Sequence, residues 1–192
     1  MSTASVTARP GAVLADLLPS SRVRDAALVL GGAALTGLAA QIAVPVPGSP
    51  VPVTGQTFAA LLVGTTLGAR RGFAALALYA VAGLAGVPWF AQGGSGASVS
   101  FGYVLGMLLA AAAVGALARR GADRSPLRMA GTMLLGEAII YAVGVPYLAF
   151  AAHMSATAAI AAGLTPFLIG DALKAALAMG ALPTAWKLTN KS

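Results

Sequence analysis

The stretch AALVLGGAALTGLAAQIAVPV, residues 26–46, holds 21 residues without one charged side chain. At about 1.5 Å of rise per helical residue it reaches roughly 30 Å, the thickness of the hydrocarbon core of a bilayer. A secretory signal has a shorter apolar core with a cleavage site soon after it, so this run predicts a membrane-spanning helix. Downstream, Gln56–Ala69, Gly72–Ala91, Phe101–Ala118, Met129–Ala152 and Phe167–Trp186 are apolar runs separated by breaks rich in Pro, Gly or Arg. A backbone in hydrocarbon must satisfy its own hydrogen bonds, and helices do so within one segment. The expected fold is an all-α integral membrane bundle of six transmembrane helices. It forms one membrane domain, residues 26–188, between a watery N-terminal tail, residues 1–25, and a short tail, residues 189–192.

Composition points the same way. Hydrophobic residues make up 58% of the chain and charged ones 9%, and the mean hydropathy is +0.86, so lipid is the expected solvent. The net charge of +7 does not mark a nucleic-acid binder, because the basic residues sit in short loops rather than on one cationic face. Arg9, Arg22 and Arg24 precede the first span; Arg70 and Arg71 separate the second and third; Arg119, Arg120, Arg124 and Arg128 separate the fourth and fifth; Lys187 and Lys191 follow the sixth. Loops 47–55, 92–100 and 153–165 contain no Lys or Arg. Positive residues collect on the cytoplasmic side, so both termini are expected there. There is no cysteine and His153 is the single histidine, so no protein-held metal centre is expected. An intramembrane enzyme, which needs a nucleophile and base or metal ligands at one depth, is disfavoured on the same ground.

Three charged residues fall inside the spans: Glu137, Asp171 and Lys174. Charges in hydrocarbon face the bundle interior or a wet cavity. Asp171 and Lys174 share one helical face at i, i+3. As a purely structural pair they are replaceable by apolar packing, which favours a functional reading. The orientation puts them one to two turns below the outer surface. Gln56, Thr57, Trp89, Phe90, Tyr103 and Tyr147 are expected at the same depth, from four other segments. Apolar and aromatic walls with a few directed polar groups are the make-up of a small-molecule pocket, although aromatics near helix ends also serve as interfacial anchors. Glu137, about two turns in from the cytoplasmic side, is expected to be structural, and His153 to lie in an outer loop. Pro45, Pro47, Pro50 and Pro52 predict a rigid connector after the first span. Gly32, Thr36 and Ala40, with Ala33 and Gly37 beside them, form small-residue ridges suited to close helix contact, either within the protein or with a partner.

Five stretches then carry a resemblance: PVPVTGQTFAALLVG (50–64), GVPWF (86–90), FGYVLG (101–106), IYAVGVPYLA (140–149) and PFLIGDALKAAL (166–177). Together, over about residues 26–183, the chain resembles the BioY family, the biotin-binding membrane subunits of energy-coupling factor transporters. The resemblance implies biotin bound near the outer face of a six-helix bundle in a bacterial or archaeal cytoplasmic membrane, with no cofactor held by this chain. It implies Asp171, Lys174, Gln56, Thr54 and Tyr103 as substrate-binding positions beside Trp89, Phe90 and Tyr147. It also implies partners: a transmembrane coupling subunit and two ATPase subunits, since the chain has no phosphate-binding GxxxxGK[ST] loop. The ridge of Gly32, Ala33, Thr36, Gly37 and Ala40 is the candidate docking surface for that subunit. Ser98–Phe101 depart from the family's glycine-rich segment before the fourth helix. A proton-coupled secondary carrier of biotin, or a subunit for another vitamin, are the rival readings.

Overall fold

The structure, a computed structural model, describes residues 11–189; the remainder of the expected tails, with Arg9 and Lys191, lies outside the described residues. The chain forms helices α1 (Arg22–Ala40), α2 (Gln56–Leu67), α3 (Ala69–Leu84), α4 (Phe101–Arg119), α5 (Pro126–Ala151), α6 (Ala156–Gly163) and α7 (Leu168–Thr189). Two short strands, β1 (Ala43–Val44) and β2 (Val53–Thr54), pair antiparallel, with Ala43 opposite Thr54.

Arg22–Ala40, Phe101–Arg119, Pro126–Ala151 and the joined unit Ala156–Thr189 are long and apolar enough to cross a membrane. With α2 and α3, of 12 and 16 residues, the six-helix count fits, and the protein is a multi-pass membrane protein. The ends of the helices differ from expectation for local reasons. Ser21 caps α1 by accepting the Arg24 N–H, so the helix starts at Arg22. It stops at Ala40 rather than Val46, because Pro45 offers no N–H and disfavours helix at Val44. Ala43 and Val44 turn instead into the β1–β2 hairpin, so the fold is helical with one small sheet rather than purely α. Gly68, at φ +82°, breaks α2 from α3 with no loop between them. Ser125 caps α5, with Pro126 in its first turn, and α5 continues through Pro146. Ser155 caps the short α6, which lies within the loop 153–165 between the fifth and sixth expected spans.

The described ends of the chain share one end of the bundle with the Arg-bearing loops. Residues 11–17, expected to be part of a watery tail, pack there as a strap: Val13 is fully buried and Ala15 nearly so. Asp16 accepts from Arg71 at 2.8 Å and from Arg119 at 3.2 Å, while Arg119 and Arg124 hold the Gly11 and Ala12 carbonyls. Burial pushes the Asp16 carboxyl up. The hydrogen bonds from Arg71 and the Val13 N–H and the charges of Arg119 and Arg71 outweigh it and hold the group below its ordinary range. A carboxyl so lowered stabilises the fold above the usual carboxylate range and ceases to do so as pH falls through its folded value. Asp16→Asn is therefore expected to lower thermal stability at neutral pH, with the gap to wild type closing as pH falls below about 4. A gap that is the same at every pH assigns the loss to packing instead. Nearby, Trp186 of α7 donates to Asp123 at 2.6 Å and lies 4.5 Å beneath the Arg124 guanidinium, clasping the α4–α5 loop to the last helix.

Helix α4 is the centre of the bundle: 61% of its apolar window is buried, against 28% for α1. It is a glycine and alanine surface that lets neighbours approach at backbone distance. A Cβ on Gly64 would lie 2.6 Å from the Ala111 carbonyl oxygen, and one on Gly72 would lie 2.9 Å from the Gly64 Cα. The small-residue ridge of α1, the expected docking surface, likewise faces neighbours within this chain. Gly32, Ala33, Thr36, Gly37 and Ala40 are all buried. Gly32 sits against Ala75, Val63 and Leu67, and Gly37 against the Trp89 ring, so these positions are already filled by α2, α3 and the loop after α3.

Candidate functional site

The end of the bundle opposite the Arg-bearing loops carries the β1–β2 hairpin, the loop after α3, and α6. Beneath them lies a cavity whose empty space, counting its open mouth, is about 620 Å³. Val51, Pro52 and Thr54 of the hairpin, Gln56 and Thr57 of α2, and Phe90 and Ala91 of the loop after α3 line it on one side. Phe101, Tyr103 and Met107 of α4, Ile140 and Tyr141 of α5, and Asp171 and Lys174 of α7 close the other.

The polar groups form one chain across the cavity wall. The Lys174 ammonium donates to Thr57 Oγ1 at 2.8 Å and to Asp171 Oδ1 at 3.0 Å. The Tyr141 hydroxyl donates to Asp171 Oδ2. Asp171 sits in the first turn of α7, where the unpaired N–H groups of a helix start favour negative charge. An ammonium has three N–H donors, so one of Lys174's remains beyond these two bonds. Gln56 is buried and lines the cavity, and its side-chain amide makes no hydrogen bond among the described residues. The backbone N–H of Gln56 is held by Thr54 Oγ1 at 3.3 Å, which fixes the start of α2 against the hairpin.

Aromatic rings supply the rest of the wall. Tyr103 donates to the Gly163 carbonyl at 2.7 Å and stands between Tyr141 and Phe167, each 6.5 Å away by ring centroid. Phe90 and Phe101 lie 6.0 Å apart. Thus Thr54, Gln56, Phe90, Tyr103, Asp171 and Lys174 surround one cavity. Trp89 and Tyr147 do not line it. Trp89 donates to the Tyr79 carbonyl at 3.0 Å and packs on Gly37, anchoring the loop after α3. Tyr147 packs behind the wall, against Gly102 and Phe101. Thr57 lines the cavity at the expected depth, while Tyr141, Phe101, Phe167, Met107 and Ile140 are among the lining residues outside the expected set; Tyr141 lies one helical turn from Glu137, on the inward face of α5.

Gln41, just past the end of α1, holds the roof. Its amide N–H groups reach the Gly37, Trp89 and Phe90 carbonyls at 3.0–3.1 Å, and its carbonyl accepts the Gly93 N–H at 3.0 Å. The loop that carries Phe90 is thereby tied to the helix that leads into the hairpin. Gln41→Ala is expected to raise hydrogen exchange at Gly93 and its neighbours at least about tenfold, while amides in α4 keep their protection. Unchanged exchange at Gly93 removes this tether from the account.

A family model described as the BioY family matches residues 9–191. The chain is 32% identical over 163 residues to Biotin transporter BioY2 of Lactococcus lactis subsp. cremoris (strain MG1363), covering 83% of this chain and 88% of that one. It is 33% identical over 158 residues to Probable biotin transporter BioY of Pyrococcus horikoshii, covering 82% and 93%. A crystal structure of the S-component for biotin from an ECF-type ABC transporter superposes with a TM-score of 0.77 over 88% of this chain and 95% of that chain. Its sequence identity is 20%, so that likeness is one of fold. A family match that runs from the strap over the Arg-bearing end to the last turn of α7, joined by two relatives aligned over most of their length, makes this chain a member of the BioY family.

Proposed function

We propose that this protein captures biotin and carries it across the cytoplasmic membrane as the substrate-binding subunit of an energy-coupling factor transporter. The observation that carries the reading is the Thr57–Lys174–Asp171–Tyr141 chain set into an otherwise aromatic and apolar cavity. Biotin presents a ureido group with two N–H donors and a carbonyl acceptor, a carboxylate, and an apolar ring and tail. Lys174, Asp171 and Gln56 supply donors and acceptors for the polar groups, and Phe90, Phe101, Tyr103 and Met107 supply apolar surface. Membership of a family of transporters sets the chain apart from enzymes.

The Arg-bearing end, with both described chain ends, faces the cytoplasm by the positive-inside rule, and the cavity opens outward. The chain has no nucleotide-binding motif of its own, so a membrane coupling subunit and two ATPase subunits supply the energy of release to the inside. The protein binds biotin and needs no cofactor.

Titration of the detergent-purified protein with biotin, with riboflavin and thiamine as controls, tests the reading. Submicromolar binding of biotin alone is expected. No binding of biotin, or equal binding of a control vitamin, overturns it.

A further inference from the structure

Glu137 is the one charged side chain in the spans that the biotin reading leaves without work. It lies on α5 one turn closer to the Arg-bearing end than Tyr141, so it sits beneath the cavity rather than in its wall. It is 6% exposed, and neither carboxylate oxygen has a hydrogen-bond donor among the described residues. An ionised carboxylate buried with no donor is costly enough that the neutral form prevails.

Its charged neighbours on α7 are Asp171 and Lys174. Tyr141 follows on its own helix, and Tyr103 of α4 stands beyond Tyr141. The segments α2 and α6 contain no ionisable residue. One cation therefore serves two carboxyl groups, and Asp171 already holds it at 3.0 Å. With Glu137 neutral, the cluster of Asp171 and Lys174 sums to zero charge. With Glu137 ionised it is negative before any ligand arrives.

We propose that Glu137 is a proton-binding site linked to the ligand cavity: a neutral carboxylic acid whose ionisation weakens the hold on an anionic ligand. The proposal rests on the biotin reading for its ligand, because biotin carries a carboxylate at neutral pH. Binding then adds a negative charge to a neutral cluster, and at alkaline pH to a negative one. By linkage, the bound anion raises the proton affinity of Glu137, and the proton raises the affinity for the anion.

The test is biotin affinity of the purified protein as a function of pH, in wild type and in Glu137→Gln, which keeps the shape and cannot ionise. A single linked proton gives a slope of up to about tenfold per pH unit, so wild type is expected to lose about tenfold or more between roughly pH 7 and pH 9.5, and Glu137→Gln less than about twofold. Glu137→Met serves in its place if the Gln variant does not fold, as judged by size-exclusion chromatography. A flat wild-type profile overturns the linkage. A decline that persists in the variant assigns the effect to Lys174 or a tyrosine and overturns it equally. Infrared difference spectra of the ligand-free proteins at neutral pH give a readout that needs no biotin. The C=O stretch of a neutral carboxylic acid is expected in wild type and absent from Glu137→Gln, and its absence from wild type overturns the proton site. Failure of wild type to bind biotin at every pH sinks the functional reading, and the infrared result then decides the proton site alone.

Discussion

Lys174→Ala is expected to weaken biotin binding at least tenfold, or about 1.4 kcal/mol, in protein that still elutes as a folded species. Among the described residues the ammonium is the only cation in the cavity wall, and the residue's side chain is 12% exposed beside an Asp171 side chain that is 10% exposed. Two of its donors are engaged by Thr57 and Asp171, which aims the third without a rotamer search, so little entropy is lost when a ligand arrives. Truncation also strands the Asp171 carboxylate with Tyr141 as its remaining donor, and breaking a buried pair from one side costs about 3–5 kcal/mol. Loss of stability and loss of binding must therefore be separated. The double variant Lys174→Ala with Asp171→Asn removes the stranded charge, so it is expected to regain much of the lost thermal stability and little of the affinity. Isothermal titration beside thermal unfolding reads both. Affinity unchanged in Lys174→Ala returns the ion pair to a purely structural role.

Gly115→Ala is expected to be the most damaging single-methyl change, lowering stability by about 3 kcal/mol or more. The added Cβ would meet the Ala69 nitrogen, and would lie 2.6 Å from the Gly68 carbonyl carbon and 2.7 Å from the Gly64 carbonyl oxygen. All are backbone atoms at the sharp turn where α2 gives way to α3, so no side chain can swing aside. The relief is separation of α4 from both helices, which opens the most enclosed part of the bundle. Gly131→Ala is the control: a Cβ there has nothing within 4 Å, and alanine is the better helix former by up to about 1 kcal/mol. Thermal unfolding in detergent is expected to move in opposite directions for the two variants. Equal midpoints for Gly115→Ala and wild type would show that the contact between α4 and the α2–α3 turn is looser than described.

The long apolar runs and the arginines between them made the helix count legible, because span length and loop charge are local properties of the chain. Asp171, Lys174, Gln56 and Tyr103 could be set at one depth for the same reason: each lies a countable number of residues from a span end. The hairpin was not legible. Its strands pair Ala43 with Thr54 across a Pro-rich loop, and nothing within residues 26–46 announces a partner that far along the chain. On α5, the buried positions Glu137, Ile140, Gly144 and Leu148 recur at helical spacing, and Tyr141 borders that stripe while Tyr147 falls behind it. That periodicity would have chosen Tyr141 over Tyr147. The ridge on α1 was ambiguous in principle, since small residues allow close approach whether the neighbour is α3 or another protein; within this chain the Trp89 ring lies against Gly37.

The end of the protein above the cavity has a consequence for the speed of capture. Residues 41–55, 85–100 and 152–167 contain no Asp, Glu, Lys or Arg, and Lys174 is sunk in the wall with its charge balanced by Asp171. These loops contribute no formal Asp, Glu, Lys or Arg charge to steer an anion at the mouth, so local electrostatic steering of encounter, and its dependence on ionic strength, is weak there. Tight binding from dilute solution then requires slow escape, which a roof tied down by Gln41 favours.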